Sequence, residues 1–184
     1  IGNNCIIQTG SVIGEDGFAY ERYANNELLR FPHIGKVIIS DNVEICANCS
    51  IARGSLSNTL IGKGTKLDAL VHLAHNVKIG KNCELTAGTI IGGSTTVGDS
   101  TWTGLNSTLK DNIRVGDNVI VGAGAMVIRD VDNKDIVAGV PAKSIKNKTN
   151  TNLIIFSPCE NHFFSHSPHF CKNPRKVTGL CTFN

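Results

Sequence analysis

The sequence predicts an all-β chain wound into a parallel β-helix. Three observations carry the prediction: an aliphatic residue every six positions, a small or β-branched residue four positions after each, and glycine or asparagine in the segments between. The central aliphatic series is Ile61, Leu67, Leu73, Ile79, Leu85, Ile91, Val97, Leu109, Val115, Val121 and Val127, eleven hits in twelve slots with the break at Thr103. Upstream, Ile1, Ile7 and Ile13, and then Ile39, Ile45 and Ile51, keep the same step. A period of six matches neither the 3.6 of an α-helix nor the alternation of an ordinary strand. It matches a short strand closed by a tight turn, three of which make one triangular coil, stacked here about five coils deep.

Each part of the repeat has a physical task. The aliphatic residue fills the narrow interior, together with the smaller residue four positions on: Thr65, Val71, Val77, Cys83, Thr89, Thr95, Thr101, Ser107, Val119 and Ala125. Turns such as Gly80-Lys81-Asn82 and Gly116-Asp117-Asn118 supply residues that tolerate left-handed backbone. The phase breaks twice. An inserted loop of about 15–32 separates Ile13 from Ile39 and carries Phe18, Tyr20, Tyr23 and Phe31. Four extra residues separate Ile51 from Ile61, within Arg53-Gly54-Ser55-Leu56-Ser57-Asn58. Insertions in a solenoid loop out on one face and often build the binding surface, and the aromatics favour that reading over a tolerated surface loop.

After Val127 the repeat runs out through Asp130 to Lys143, so the β-helix domain is expected over 1–146. Residues 147–184 read as an irregular, poorly ordered tail rich in Ser, Pro, His and Asn. Its apolar patches are too short to offset an ordering cost of about 1–2 kcal/mol per residue. The alternative is that Leu153-Ile154-Ile155-Phe156 caps the last coil. His162, His166, His169 and Cys171 are metal ligands by type, but they lack a ligand spacing.

Composition narrows the function. The chain holds 18 Lys and Arg against 15 Asp and Glu, a net charge of +3, and ten aromatic residues among 184. That is neither a basic face nor a stacking platform for nucleic acid. No apolar run approaches the roughly 18 residues of a membrane helix. The start, Ile1-Gly2-Asn3-Asn4, lies inside a repeat and reads as a fragment of a longer protein. Seven cysteines show no disulfide framework. Cys5, Cys49 and Cys83 fall on inward positions, and Cys46 and Cys49 form a lone CxxC without a second pair. A reducing, cytoplasmic setting follows as the expectation.

Candidate chemistry centres on His75, two residues after Leu73 and so on the outer surface near a corner. One coil is 18 residues, which stacks Gly93 of Gly92-Gly93-Ser94 directly above it. A glycine beside a candidate base lets a ligand approach the backbone and offers its N–H to an oxyanion. A lone surface histidine is otherwise inert, and His72 is the control for that outcome.

Several segments together resemble the β-helix of the UDP-3-O-(3-hydroxyacyl)glucosamine N-acyltransferase family, over about residues 1–130: Ile13-Gly14-Glu15-Asp16-Gly17-Phe18-Ala19-Tyr20, Val37-Ile38-Ile39, Ala52-Arg53-Gly54, Ala74-His75-Asn76-Val77 and Gly92-Gly93-Ser94. Both phase breaks agree as well. The resemblance implies a left-handed coil, a homotrimer, and transfer of an acyl group from acyl carrier protein or coenzyme A to a nucleotide-linked amino sugar in lipid A synthesis. It implies His75 as general base, Gly93 as oxyanion donor and Asp68 as an acid near the site. Phe18, Tyr20, Asn76 and Gly92 are the implied substrate-binding residues. No permanently bound cofactor and no metal are implied.

The chain departs from the family where Ala69 replaces an expected Asn, where Asn112 stands for a second His, and in lacking the family's N-terminal uridine-binding region. Its ending, Ala138-Gly139-Val140-Pro141-Ala142-Lys143, resembles instead hexapeptide acetyltransferases that use coenzyme A. Small-acyl transfer from acetyl-CoA to a sugar is therefore an alternative. A carbonic-anhydrase-like metal site drawing on His33, His72 and His75, and a non-enzymatic scaffold, are the competing classes.

Overall fold

Inward aliphatic residues at a step of six can all be buried only if the chain turns three times per coil, and the computed structural model, which describes residues 1–146, has that form. It is a left-handed parallel β-helix of about six turns, without a helix among the described residues. The first face stacks Ile6–Ile7, Glu44–Ile45, Lys66–Leu67, Glu84–Leu85, Trp102–Thr103, Ile120–Val121 and Ile136–Ala138 in parallel, closed by the antiparallel Lys143–Ser144. The second stacks Val12–Ile13, Ser50–Ile51, His72–Leu73, Ile90–Ile91, Thr108–Leu109 and Met126–Val127. The third stacks Val37–Ile39, Thr59–Ile61, Lys78–Ile79, Thr96–Val97 and Arg114–Val115, with a bridge to Val131. The tail 147–184 and its expected dispensability lie outside the described residues.

Both inward positions of the repeat are where the pattern puts them. Ile45, Ile51, Ile61, Leu67, Leu73, Leu85, Ile91 and Leu109 are fully buried, as are Thr65, Val71, Val77, Cys83, Thr89, Thr95, Thr101 and Ser107. Each buried Ile or Leu contributes about 1.5–3 kcal/mol against exposure. The break at Thr103 has a local reason, because its hydroxyl meets the Thr89 hydroxyl at 3.0 Å and the buried polar group is partnered. Cys5, in the first coil, is only half-buried, unlike Cys49 and Cys83. Burial pushes the thiols of Cys49 and Cys83 up, which makes them poor nucleophiles.

The rungs that the period marks from Ile1 to Val127 already make about six turns at three to a coil, one more than expected; beyond them Val131 follows Val127 after four residues, and Val137 resumes the step of six. The shortened corner hides the last rung from a search by period. The first insertion is also more ordered than a loop. It contains an antiparallel hairpin of Tyr20–Arg22 and Leu28–Arg30, with Asn26 at a positive φ in the turn. Its return strand then leans on the second insertion through Ile34 N–H to Ser55 O and Gly35 N–H to Gly54 O. Both insertions leave the helix at the corner between the second and third faces, one coil apart, and brace each other there.

Left-handed turn positions are held mostly by Asn, Gly and Ser, but Leu70 adopts φ 64° while 61% exposed. Asn relieves that strain, which costs about 1 kcal/mol for an ordinary residue. Leu70→Asn should therefore raise the thermal midpoint by about 2–4 °C for a domain of this size. Circular dichroism melts check this; a lower midpoint would mean that a second copy of the chain covers Leu70.

Candidate functional site

The position two residues after the inward aliphatic residue of the second face repeats at one corner in successive coils. It is occupied by Glu15, Arg53, His75, Gly93, Asp111 and Arg129. The first insertion, through Glu15 to Phe18, borders a hollow of about 450 Å³ along this column. Phe18, Ser50, His72, His75, Gly93 and Asp111 line it.

His75 sits in the middle of the column with its ring turned up along it. A methyl group built on Gly93 would lie 2.8 Å from both Cε1 and Nε2 of the imidazole, so the ring occupies the space that a side chain at 93 would need. Gly93 N–H has no acceptor among the described residues, whereas its carbonyl accepts from Asn112 N–H. From below, Gly17 of the first insertion closes on the ring; a methyl there would be 2.8 Å from His75 Cβ and 3.0 Å from His33 Nε2. His33 meets His75 edge-on, with centroids 5.6 Å apart and an interplanar angle of 71°. It is 6% exposed, its Nδ1–H donates to Phe31 O at 3.0 Å, and its Nε2 has no partner among the described residues.

Asn76 orients the other edge of His75. Its Oδ1 accepts from Ser55 N–H at 2.8 Å and from the Ser57 hydroxyl at 3.1 Å, which fixes which end of the amide is nitrogen. Its Nδ2 donates to Ser55 Oγ at 2.8 Å and faces His75 Nδ1 at 3.2 Å. With Nδ1 accepting, the neutral ring carries its proton on Nε2, over Gly93. Burial lowers the His75 pKa, and the charge of a protonated His33 lowers it further. The imidazole therefore stays neutral further into acid than an ordinary histidine. His33→Gln keeps a polar side chain and removes that charge, so the His75 pKa should rise. The acid limb of kcat/KM against pH should then move to higher pH, and an unmoved limb would mean that His33 does not reach His75 electrostatically.

The expected site residues divide. His75 and Gly93 are in direct contact, and Phe18 lines the same hollow. Tyr20 touches Phe18 edge-on at 5.0 Å from the hairpin and does not itself line the hollow. Asn76 holds the second insertion and His75. Gly92 is packed against backbone, since a methyl there would stand 2.5 Å from Asp111 N. Asp68 follows Leu67 on the first face and lines a different hollow with Glu44, Cys46 and Lys66, where its carboxylate accepts from Ala69 and Ala87 N–H. Within one chain, then, the fold separates it from His75. Gly17 and Asp111 were not picked out from the sequence, and His33 was singled out only as a candidate metal ligand, not as a neighbour of the His75 ring. The 18-residue stacking rule, carried one coil past Gly93, reaches Asp111; no periodic signal marks the other two. Among the described residues no group of three His, Cys, Asp or Glu stands close enough to hold a metal ion, and no helix is long and apolar enough to cross a membrane.

Residues 58–93 match the family model described as bacterial transferase hexapeptide (six repeats), and residues 94–129 match that of the hexapeptide repeat of succinyl-transferase. The UDP-3-O-acylglucosamine N-acyltransferase of Caulobacter vibrioides is 53% identical over 146 residues, which are 79% of this chain and 43% of that one. The protein of the same name from Methylorubrum populi is 40% identical over 146 residues, 79% of this chain and 41% of its own. The chain thus spans about two fifths of the length of these curated relatives. Among solved structures, the Arabidopsis UDP-N-acetylglucosamine acyltransferase superposes with a TM-score of 0.68 at 29% identity, over 77% of this chain and 47% of that one. A further UDP-N-acetylglucosamine acyltransferase, at 24% identity and a TM-score of 0.69 over 78% of this chain and 54% of its own, shares the fold.

Proposed function

We propose that this chain, which belongs to the hexapeptide-repeat acyltransferases, is the catalytic β-helix of an N-acyltransferase that moves an acyl group from a thioester to the amine of a nucleotide-linked amino sugar. The observation that carries the reading is the His75 ring lying on Gly93, with the Gly93 N–H unpaired among the described residues, inside a hollow that the first insertion helps to line. The names of the curated relatives support the same acceptor and the same bond.

The chemistry follows from these groups. The acceptor ammonium gives one proton to His75 Nε2, and the freed lone pair attacks the thioester carbonyl carbon. Donation to Nε2 favours the ring tautomer with hydrogen on Nδ1, at the expense of the long contact with Asn76. The Gly93 N–H donates to the oxyanion of the tetrahedral intermediate. The carbonyl then re-forms, the C–S bond breaks, and the remaining extra proton on nitrogen leaves with the thiolate as thiol. The balance is amide plus thiol, with one proton on His75 to be released to solvent. Such transfer needs general-base and oxyanion assistance and no covalent enzyme intermediate.

The donor is an acyl carrier protein or coenzyme A thioester, and the setting is the cytoplasm. A homotrimer is the proposed assembly. On the second face the outward residues include Val12, Ile90 and Met126, each 43–48% exposed and interleaved with Ser50, His72 and Thr108, a mixed surface that a neighbour of the same chain could cover. Asp68, remote from His75 in its own chain, has its part only where a neighbour brings that corner to the site. The direct test is thioester cleavage by the full chain, pairing acyl carrier protein and coenzyme A donors of several chain lengths with UDP-linked amino sugars. Free thiol should appear only with an amine acceptor present. Thiol release that ignores the acceptor, or none with any pair, would sink the reading.

A further inference from the structure

We propose that Asp111 binds the acceptor amine as its ammonium, across a slot from the His75 imidazole, and so selects amine over hydroxyl acceptors. This rests on the acyl-transfer reading of the same hollow and adds the group that recognises the nucleophile. Neighbouring strands of a parallel sheet lie about 4.8 Å apart, so the backbones of His75 and Asp111, two coils apart, are separated by about 10 Å. Between them stands Gly93, whose missing side chain leaves that level of the column to the imidazole edge alone. Beneath the ring, Gly17 and His33 close the space. Among the described residues, Asp111 is the acid that lines the hollow on the Gly93 side of the ring. A nitrogen hydrogen-bonded to both groups needs about 2.7–3.2 Å to each, and with a tetrahedral angle at the nitrogen the bridge spans about 4.8 Å, one coil of spacing.

Among the described residues Asp111 makes no ion pair. One of its carboxylate oxygens, Oδ2, accepts from Asn112 Nδ2 at 2.9 Å, which orients the group, and Oδ1 has no donor among the described residues. The other acids of the hollow are placed differently. Asp16 faces Arg30 at 3.7 Å. Glu15 lies two coils below His75, with the coil of Arg53 between them. A carboxylate with one free oxygen, opposite a neutral imidazole, suits a primary ammonium, which has three donors. A sugar hydroxyl has one proton and no charge, and gains much less from the same carboxylate.

The test is calorimetric titration of the full chain with UDP-glucosamine and with UDP-glucose, at about pH 6.5, where a primary amine is protonated. Wild-type protein should favour the amino sugar. Asp111→Asn should weaken UDP-glucosamine at least about tenfold, the size expected for one charge-assisted hydrogen bond, and change UDP-glucose less than about twofold. Asp111→Ser should repeat the result with an unchanged thermal midpoint, and Glu15→Gln should not. Equal losses for both sugars, or an unchanged UDP-glucosamine affinity, overturn the role of Asp111 while thioester cleavage by wild type stands. Failure of wild type to bind either sugar, together with no thioester cleavage, overturns the acyl-transfer reading and this assignment with it.

Discussion

His75→Ala should lower kcat by about 10²–10⁴, the range for loss of a general base. The fold should survive, because His75 is only half-buried and its backbone carbonyl still accepts from Ser94 N–H. His72→Ala is the matched control. His72 lines the same hollow, and burial lowers its pKa as well, but its strand position points it outward from the second face. Its substitution should change kcat less than about threefold, well under a general-base effect. Single-turnover rates with both variants decide the matter. Equal losses, or an undiminished His75→Ala enzyme, would remove the base from His75.

Gly93→Ala is the second large effect, and it works through geometry. Gly93 does not use left-handed backbone, so alanine fits the chain locally, yet its methyl would stand 2.8 Å from two ring atoms of His75. The imidazole is the movable partner and must swing away. A displacement of about 1 Å at a reacting group costs on the order of 10²-fold in rate. Gly92→Ala is the contrast: its methyl would meet backbone, Asp111 N at 2.5 Å, which cannot yield without opening the coil. The pair should separate cleanly, with Gly93→Ala losing activity at a near-normal thermal midpoint and Gly92→Ala losing the midpoint itself. If Gly93→Ala keeps its activity, the ring position over Gly93 is not the reactive one.

The wild-type pH profile carries the same geometry. Since burial and His33 both hold the His75 pKa down, the base stays available into mild acid. The fall of kcat/KM on the acid side should lie below the ordinary imidazole value of about 6.5. That limb is the reference against which the His33→Gln variant is read.

By itself the sequence determined the repeating part of this protein. The step from Ile61 to Val127 dictates two inward residues per unit, three units per coil and 18 residues between stacked positions, and from that offset alone Gly93 falls above His75. The common corner of the two insertions follows from the same count, since both interrupt the passage from a second-face strand to a third-face strand. Asp111 was legible too, one coil further on.

Only the tertiary structure decided the rest. Gly17 and His33 reach His75 from 58 and 42 residues away through a segment without a period, and no constant offset relates them. Asn76 is held against the Nδ1 edge of the ring through Ser55 and Ser57, whose positions depend on how two insertions lean together. The last rung vanished from the pattern because one corner is two residues short, and Asp68 lines a first-face hollow with Glu44, Cys46 and Lys66, not the one beside His75. A repeat transmits register from coil to coil through its ladder of backbone hydrogen bonds, so position along the chain fixes position in space. An insertion has no such ladder to the coil it covers; it finds its place by packing, and packing is written in contacts rather than in spacing.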